Sequence, residues 1–188
     1  MSSIAWQTRQ GYALDSAQTA KKPILLDFHD PMCIGCRQMD AVTYQAQEVV
    51  GYINNYLIPL RINVNDPSLL EDYHHIWTPT IAVLDLNGRE VQRTIGFLGP
   101  DEFIATMDLG IAKVRMDAGK YDTAMIPLKS LMETLPKSDS IPEAIYFSGV
   151  TLYKQSNDPR KLKEAYEKLL RDYPESPWTK RASPYRLL

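Results

Sequence analysis

The sequence has little of what marks the specialised classes of protein. Only two of its 188 residues are cysteines, Cys33 and Cys36, so a scaffold held together by several disulfides is excluded. Its nine glycines and thirteen prolines follow no repeating period, which excludes collagen-like and low-complexity chains. No apolar run approaches the roughly 20 residues that span a bilayer. The composition predicts a globular protein with no membrane partner, located in the cytoplasm, or in the periplasm if a signal peptide has been removed.

The chain also lacks a strong excess of either charge. Its net charge is −2, so the sequence predicts no nucleic-acid partner. The charges are unevenly divided, because residues 1–110 carry seven basic and thirteen acidic side chains whereas residues 111–188 carry fourteen and ten. This asymmetry predicts two differently built domains, 1–110 and 111–188.

The first domain alternates segments of strand and helix character. Segments of strand character occur at residues 24–28, 57–64 and 81–86, the first of them an apolar run. One long or interrupted helix is predicted between Cys33 and Tyr56, and a shorter helix over Ser68–His75. Asn87-Gly88 between two strand-like runs predicts an antiparallel hairpin with positive φ at both turn positions. The order of elements predicts an α/β fold in which helices cover both faces of a mixed central sheet.

Beyond residue 111 the pattern is helical only. Helices are predicted over Tyr121–Leu135, Pro142–Gln155 and Leu162–Tyr173. A shift of 38 residues aligns Pro136-Lys-Ser138 with Pro174-Glu-Ser176, so each unit consists of a helix that ends in Pro-x-Ser and a second helix. Two unrelated helices that both stop at proline would give the same match. In its small and aromatic positions this all-α segment resembles tetratricopeptide (TPR) repeats, which implies a surface that binds a protein partner.

The two cysteines lie in one short motif, Cys33-Ile34-Gly35-Cys36, directly after a strand and at the start of a helix. Two intervening residues let the sulfurs bond without distorting the helix, and a helix N-terminus stabilises a thiolate on the first cysteine. Cys33 is therefore the predicted nucleophile. Cys36, one turn further on, is placed to attack a mixed disulfide and release the product. Gly35 relieves crowding at the helix entry, and Met32 offers an apolar contact beside the attacking sulfur.

A single carboxylate lies at the end of the strand that precedes this motif. Burial would raise the pKa of Asp27 into the range of a useful proton acceptor for Cys36. The alternative is an ordinary solvated aspartate at a strand end, and the spacing alone favours neither interpretation.

Several further landmarks occur in order along the first domain. They are Lys22-Pro23, the Cys33-x-x-Cys36 motif, Thr78-Pro79-Thr80, Asn87-Gly88 and Gly96. In order and spacing they resemble the thioredoxin-like family over roughly residues 4–112. The resemblance implies a thioredoxin fold, thiol–disulfide exchange, Asp27 as the buried carboxylate, and Pro79 as a cis-proline facing the disulfide. It also implies a substrate-binding surface made by Thr78, Pro79, Met32, Ile34, Gly35 and Trp77.

These observations predict a thiol–disulfide oxidoreductase whose only redox group is the Cys33–Cys36 disulfide. The predicted partners are protein disulfide or thiol substrates, an upstream thiol reductant or oxidant, and a protein bound by the helical extension. One alternative is a TPR-like adaptor whose thioredoxin-like domain is mainly a scaffold. Another is a zinc or iron–sulfur site in which His29, or His74 with His75, joins the cysteines, although no metal is expected. His29 itself is predicted to be a packed or surface histidine more than a catalytic base.

Overall fold

The computed structural model describes residues 3–66 and 76–188. The chain divides into two compact units, which we call the N-terminal unit (Met1–Gly110) and the C-terminal unit (Ile111–Leu188). The helix predicted over Ser68–His75 lies outside the described residues. None of the helices in the described ranges combines the length and the apolar character needed to cross a bilayer.

The N-terminal unit alternates helices with strands, as the sequence predicts. Its elements are α1 (Gln10–Ala20), β1 (Ile24–His29), α2 (Ile34–Ala41), α3 (Gln47–Tyr56), β2 (Ile58–Asn63), β3 (Thr80–Leu84), β4 (Glu90–Ile95) and α4 (Pro100–Asp117). A 3-10 turn over Thr43–Gln45 separates α2 from α3. The helix predicted between Cys33 and Tyr56 is therefore interrupted and not continuous.

The four strands form one mixed sheet in the order β2-β1-β3-β4. β1 is parallel to β2 and antiparallel to β3, while β3 and β4 are antiparallel. β1 lies at the centre of a sheet whose two faces are covered by helices, so its residues from Ile24 to Phe28 are all buried, and all of them except Asp27 are apolar. The mixed sheet confirms the predicted fold class.

Helices cover both faces of this sheet. Ile24, Leu26 and Phe28 belong to the same buried cluster as Ala13 and Ala17 of α1. The alternate residues of β1 point to the opposite face because side chains alternate along a strand. On that opposite face α4 approaches so closely that a Cβ on Gly110 would lie 2.5 Å from Cγ2 of Val83. Asp27 shares this second face, which places it under helices and away from solvent.

The hairpin between β3 and β4 is confirmed, but its turn differs from the prediction. Only Gly88 has a positive φ, of 85°, so the expectation of positive φ at Asn87 is wrong. The amide of Asp85 donates to the carbonyl of Arg89 at 2.8 Å, and the Asp85 carboxylate accepts the amides of Asn87 and Arg89. The loop is therefore three residues long, and such a loop needs a left-handed residue only at its last position.

The C-terminal unit is entirely helical where it is described. After the end of α4 it contains α5 (Tyr121–Thr134), α6 (Ile141–Ser156), α7 (Arg160–Asp172), α8 (Pro177–Ala182) and a 3-10 segment, Ser183–Leu187. The first three helices begin and end within two residues of the predicted bounds. α6 and α7 pack closely, because a Cβ on Gly149 would lie 2.4 Å from the Cβ of Ala165.

The two Pro-x-Ser turns of this unit are built in the same way. The Ser138 hydroxyl accepts a hydrogen bond from the amide of Ser140 at 3.0 Å, and the Ser176 hydroxyl accepts one from the amide of Trp178 at 3.1 Å. Donor and acceptor are displaced by the same 38 residues that separate the sequence motifs. The turn therefore repeats in structure as well as in sequence, whereas the TPR-like character of the whole unit stays a prediction.

Candidate active site

The cysteine motif lies where β1 passes into α2, and the connecting turn fixes its geometry. The Asp30 carboxylate accepts the amide of Met32 at 2.9 Å, and the Asp30 carbonyl accepts the amide of Cys33 at 3.0 Å. These bonds hold Cys33 in an extended conformation at the N-cap of α2. The first cysteine thus sits at the positive end of a helix, as predicted.

The sulfur of Cys33 is surrounded by hydrogen-bonding groups. It accepts the amide of Cys36 at 3.4 Å, and as a thiol it donates to the carbonyl of Thr78 at 3.3 Å. Burial acts to raise the pKa of Cys33, but hydrogen bonds from the side chains of Thr78 and Cys36 and from the amides of Cys36 and Gly35 outweigh it and leave the pKa below its ordinary value. Both cysteines are free thiols. The surroundings of Cys33 therefore favour its ionisation.

Cys36 has the opposite environment. It is buried, with 1% of its surface exposed, and its sulfur accepts the amide of Asp30 at 3.5 Å. Burial is the largest influence on this thiol, and together with the neighbouring Cys33 and the charge of Asp27 it raises the pKa of Cys36 to about 12. A thiol of this kind reacts only when another group takes its proton.

Asp27 is buried in the structure, so the interpretation of it as a solvated aspartate at a strand end is wrong, whereas its role as the proton acceptor of Cys36 stays a prediction. Only 2% of its surface is exposed, and its Oδ2 accepts a hydrogen bond from Nε of Arg61 at 2.8 Å. Burial raises the pKa of Asp27 to about 6, against the opposing attraction of Arg61 and with a smaller contribution from the charge of Asp40. A carboxylate in this range is ionised at neutral pH and still basic enough to accept a proton.

Arg61 and Asp40 extend the site beyond the residues that the sequence singled out. Nη2 of Arg61 donates to Oδ1 of Asp40 at 2.7 Å, and Nε2 of His29 lies 3.7 Å from Oδ2 of the same carboxylate. Burial and the nearby Arg61 charge lower the pKa of His29. A basic residue within the apolar strand β2, which pairs with Asp27 in the sheet register, is the signal that could have identified Arg61.

The segment Trp77-Thr78-Pro79 faces the start of α2. The Thr78–Pro79 peptide bond is cis, and the Thr78 carbonyl is the partner of the Cys33 thiol. The Pro79 ring packs against Gly35 so closely that a Cβ on the glycine would lie 2.6 Å from Cδ of the proline. Gly35 is therefore needed for contact with Pro79, a reason that differs from the relief of crowding at the helix entry.

The three remaining residues of the predicted substrate-binding surface are exposed. The exposed fractions are 81% for Met32, 78% for Ile34 and 67% for Trp77. Large apolar side chains that stay in solvent beside a reactive thiol are typical of a surface that binds a protein chain. Ile76, 77% exposed and adjacent to Trp77, extends this apolar surface, although the sequence reasoning did not select it.

Residues 3–66 and 76–188 contain no ligand set for the alternative zinc or iron–sulfur site. No three His, Cys, Asp or Glu side chains in these ranges are grouped so that they could hold a metal ion. His74 and His75, the other candidate ligands, lie outside the described residues.

Replacing Gly35 by alanine is expected to separate Pro79 from α2, because the new Cβ would overlap the proline ring. Overpacking of this kind lowers stability by about 1–3 kcal/mol. The displaced Thr78 should also slow the reaction of Cys33 with a disulfide. Urea unfolding and stopped-flow kinetics measure the two effects. Gly51→Ala within α3 is the matched control, because its added Cβ would meet no atom within 4 Å beyond its chain neighbours and the adjoining backbone of its own helix, and equal behaviour of the two variants would contradict the prediction.

Comparison with known proteins agrees with this geometry. A family model described as a thioredoxin-like domain matches residues 11–111. The thiol:disulfide interchange protein DsbD of Campylobacter jejuni (strain RM1221) is 26% identical over 94 residues, which make up 48% of this chain and 17% of that protein. DsbD of Neisseria meningitidis serogroup A is 30% identical over 98 residues, 49% of this chain and 16% of that protein.

The chain thus corresponds to less than a fifth of the length of these curated relatives. Among solved structures, a DsbH oxidoreductase superposes with a TM-score of 0.51 at 18% identity, covering 58% of this chain and 85% of that one. At that identity the similarity shows the fold alone.

Proposed function

The chain belongs to the thioredoxin-like family, and from this premise we propose that it is an oxidoreductase that exchanges disulfides with protein substrates through Cys33 and Cys36. The observation that carries the proposal is the contrast between the two thiols. Cys33 is partly exposed with a lowered pKa, whereas Cys36 is buried with a pKa raised to about 12. One thiol is suited to attack and the other to resolve the product of that attack.

In the first step the Cys33 thiolate attacks one sulfur of a substrate disulfide. A bond forms between Cys33 and that sulfur, the substrate disulfide breaks, and the second substrate sulfur leaves as a thiolate that takes a proton from solvent. The hydrogen bonds from the start of α2 stabilise the thiolate before the attack. The product is a mixed disulfide between Cys33 and the substrate.

In the second step the Asp27 carboxylate accepts the proton of Cys36. The Cys36 sulfur then attacks the Cys33 sulfur, the bond from Cys33 to the substrate breaks, and the substrate sulfur leaves as a thiolate. Two electrons pass from the Cys33–Cys36 dithiol to the substrate, and an upstream thiol reductant restores the dithiol. An upstream oxidant would drive the same steps in reverse.

The exposed apolar surface beside Cys33 supports a protein substrate. An extended chain can place apolar side chains against Met32, Ile34 and Trp77 while its backbone pairs with Thr78. The Thr78 carbonyl is held by the Cys33 thiol, so ionisation of Cys33 frees it for such pairing. The site thus couples activation of the nucleophile to binding of the chain.

The role of the C-terminal unit is also a proposal. Its repeated Pro-x-Ser turns favour a repeat architecture, and repeat helices commonly present binding surfaces. We propose that this unit recruits a protein partner of the oxidoreductase. The adaptor function is the second candidate, in which partner binding would be the main activity. The cytoplasmic compartment stays a prediction.

Reduction of insulin disulfides in the presence of dithiothreitol tests the proposal. The wild-type protein should accelerate precipitation of the insulin chains, and the Cys36→Ala variant should accumulate a mixed disulfide that a reductant releases, because the resolving thiol is missing. Thr8→Ala, a change outside the site, is the control and should behave as wild type. A wild-type protein that leaves insulin unreduced, with no trapped species in the variant, would remove the enzymatic function and favour the adaptor.

A further inference from the structure

Arg61 is held between two aromatic rings and two carboxylates. Its guanidinium carbon lies 4.3 Å from the centroid of the Trp6 ring and 5.2 Å from that of Tyr44. The same group reaches Asp27 at 2.8 Å through Nε and Asp40 at 2.7 Å through Nη2. A planar, forked cation can make both bonds while it stacks on an aromatic face, which a lysine cannot do.

The N-terminal segment brings Trp6 to this place. The Gln7 amide donates to the carbonyl of Pro59 at 2.9 Å, and the Gln7 carbonyl accepts the amide of Arg61 at 2.8 Å. The segment thereby adds a one-residue bridge to the outer edge of β2. The Trp6 ring also meets the ring of Tyr44 edge to face, with the centroids 5.0 Å apart. Trp6 and Arg61 are thus in contact although more than fifty residues separate them in the sequence.

We infer that Trp6 is a positioning residue for the resolving step: it holds the Arg61 guanidinium against Asp27 and so keeps that carboxylate ready to accept the proton of Cys36. The inference rests on the proposed function. In this proposal Trp6 acts on the reaction through Arg61, whose guanidinium lies over its ring. The bridge to Asp40 completes the arrangement, because it ties the same cation to α2, which carries Cys36.

The direction of the effect follows from the groups that face Asp27. They are Arg61 from β2, Asp40 and Cys36 from α2, and Tyr44 from the 3-10 turn. Burial and the charge of Asp40 raise the pKa of Asp27, whereas Arg61 and, to a smaller extent, the Tyr44 side chain lower it. The Trp6 ring contacts both Arg61 and Tyr44, so truncating it leaves the guanidinium less firmly held against Asp27. The carboxylate then has a weaker counter-charge and should ionise at a higher pH.

A pH profile of the resolving step tests the inference. Mixing the reduced protein with an aromatic disulfide whose thiolate absorbs visible light gives one release for the attack of Cys33 and a second for the attack of Cys36. Trp6→Ala should move the acid limb of the second rate upward by about half a pH unit to one unit, and Arg61→Met by about one to two units. Trp6→Phe keeps a ring under Arg61 and should restore most of the profile.

Two further variants separate the stack from general destabilisation. Tyr12→Ala removes a different arginine–aromatic contact, that with Arg9 at 5.7 Å, and should leave the profile unchanged. Trp6→Leu keeps apolar bulk without a π face, so it should fold and move the acid limb upward by about half a pH unit to one unit, whether or not Trp6→Ala folds. A Trp6→Leu profile equal to that of the wild type would overturn the inference.

Titration of the Asp27 carboxyl carbon by NMR separates this inference from the proposed function. If the wild-type protein releases no second thiolate, the proposed function fails, but the NMR midpoint still reports whether Trp6 acts on Asp27. An NMR midpoint raised in Trp6→Leu and near the wild-type value in Trp6→Phe supports the inference. Equal midpoints in wild type and Trp6→Leu overturn it, even with an active enzyme.

Discussion

Replacing Cys33 by serine is expected to lower the rate of disulfide reduction at least about a hundredfold, although Cys36 remains in the protein. Only the thiolate attacks a disulfide, and each unit of pKa changes its population tenfold. The pKa of Cys33 lies below its ordinary value of 9.0, whereas that of Cys36 is about 12. In the wild-type protein the thiolate populations of the two cysteines at neutral pH therefore differ by at least about a thousandfold, and burial of Cys36, the largest cause of the difference, is kept in the variant.

Two further factors modify this ratio. A less acidic thiol gives a more nucleophilic thiolate, so over three units of pKa the Cys36 thiolate is intrinsically more reactive than that of Cys33 by roughly thirtyfold. Access acts in the other direction, because 1% of the surface of Cys36 is exposed, and a lone thiol also cannot resolve its own mixed disulfide. Because of poor access and the missing second thiol, we expect the wild type to reduce disulfides about a hundredfold faster than Cys33→Ser, or more.

Insulin reduction with dithiothreitol measures the loss, and alkylation near neutral pH measures its cause. The Cys36→Ser variant is the matched control, because its remaining Cys33 should alkylate about as fast as in the wild type. The single thiol of Cys33→Ser should alkylate far more slowly until urea unfolds the protein. Equal alkylation of the two folded variants would show that the environments of the two thiols do not differ in the way described.

The parts of the site that follow from local sequence could be predicted, and the parts that depend on strand register could not. The motif Cys33-x-x-Cys36 specifies its own geometry, since a cysteine at an N-cap and another one turn later need no distant partner. The dipeptide Asn87-Gly88 locates the hairpin for the same reason. The prediction of positive φ at Asn87 is wrong because the Asp85 carboxylate accepts two amides and the loop is three residues long, which the dipeptide alone does not indicate.

Arg61 shows why the remainder is hidden in the sequence. Its proximity to Asp27 requires the parallel pairing of β1 with β2, which joins residues 34 positions apart. Its stack on Trp6 requires in addition the bridge made by Gln7. Burial of Asp27 is likewise a property of the assembled sheet and helices. The spacing in the sequence was therefore compatible with both a buried and a solvated aspartate.

Asp27→Asn is expected to raise the free energy of unfolding by about 3 kcal/mol near pH 8 relative to the wild type, and to change it little near pH 4. The pKa of Asp27 is about 6 in the folded protein, above the ordinary value of 3.8 that applies to the unfolded chain. Between these two values the folded state binds more protons than the unfolded state. Wild-type stability is therefore full below the lower value and falls as the pH rises through the higher one.

Asparagine removes this dependence because it stays neutral at every pH, and its amide oxygen can still accept the hydrogen bond from Arg61. Arg61 also keeps its ion pair with Asp40, so the substitution leaves no cation without a counter-charge. Urea unfolding at the two pH values measures the difference between variant and wild type. Asp15→Asn, a change of an exposed carboxylate on α1, controls for the loss of one negative charge.

A stability difference between Asp27→Asn and wild type that is the same at both pH values would contradict the raised pKa. The same variant should slow the second thiolate release while leaving the first nearly unchanged, since only Cys36 needs a proton acceptor. Burial of Asp27 thus destabilises the fold at the pH where the carboxylate is ionised and makes it basic enough to act on Cys36. If Asp27→Asn gains stability near pH 8 and still releases the second thiolate at the wild-type rate, Asp27 is buried as described but another group accepts the proton of Cys36.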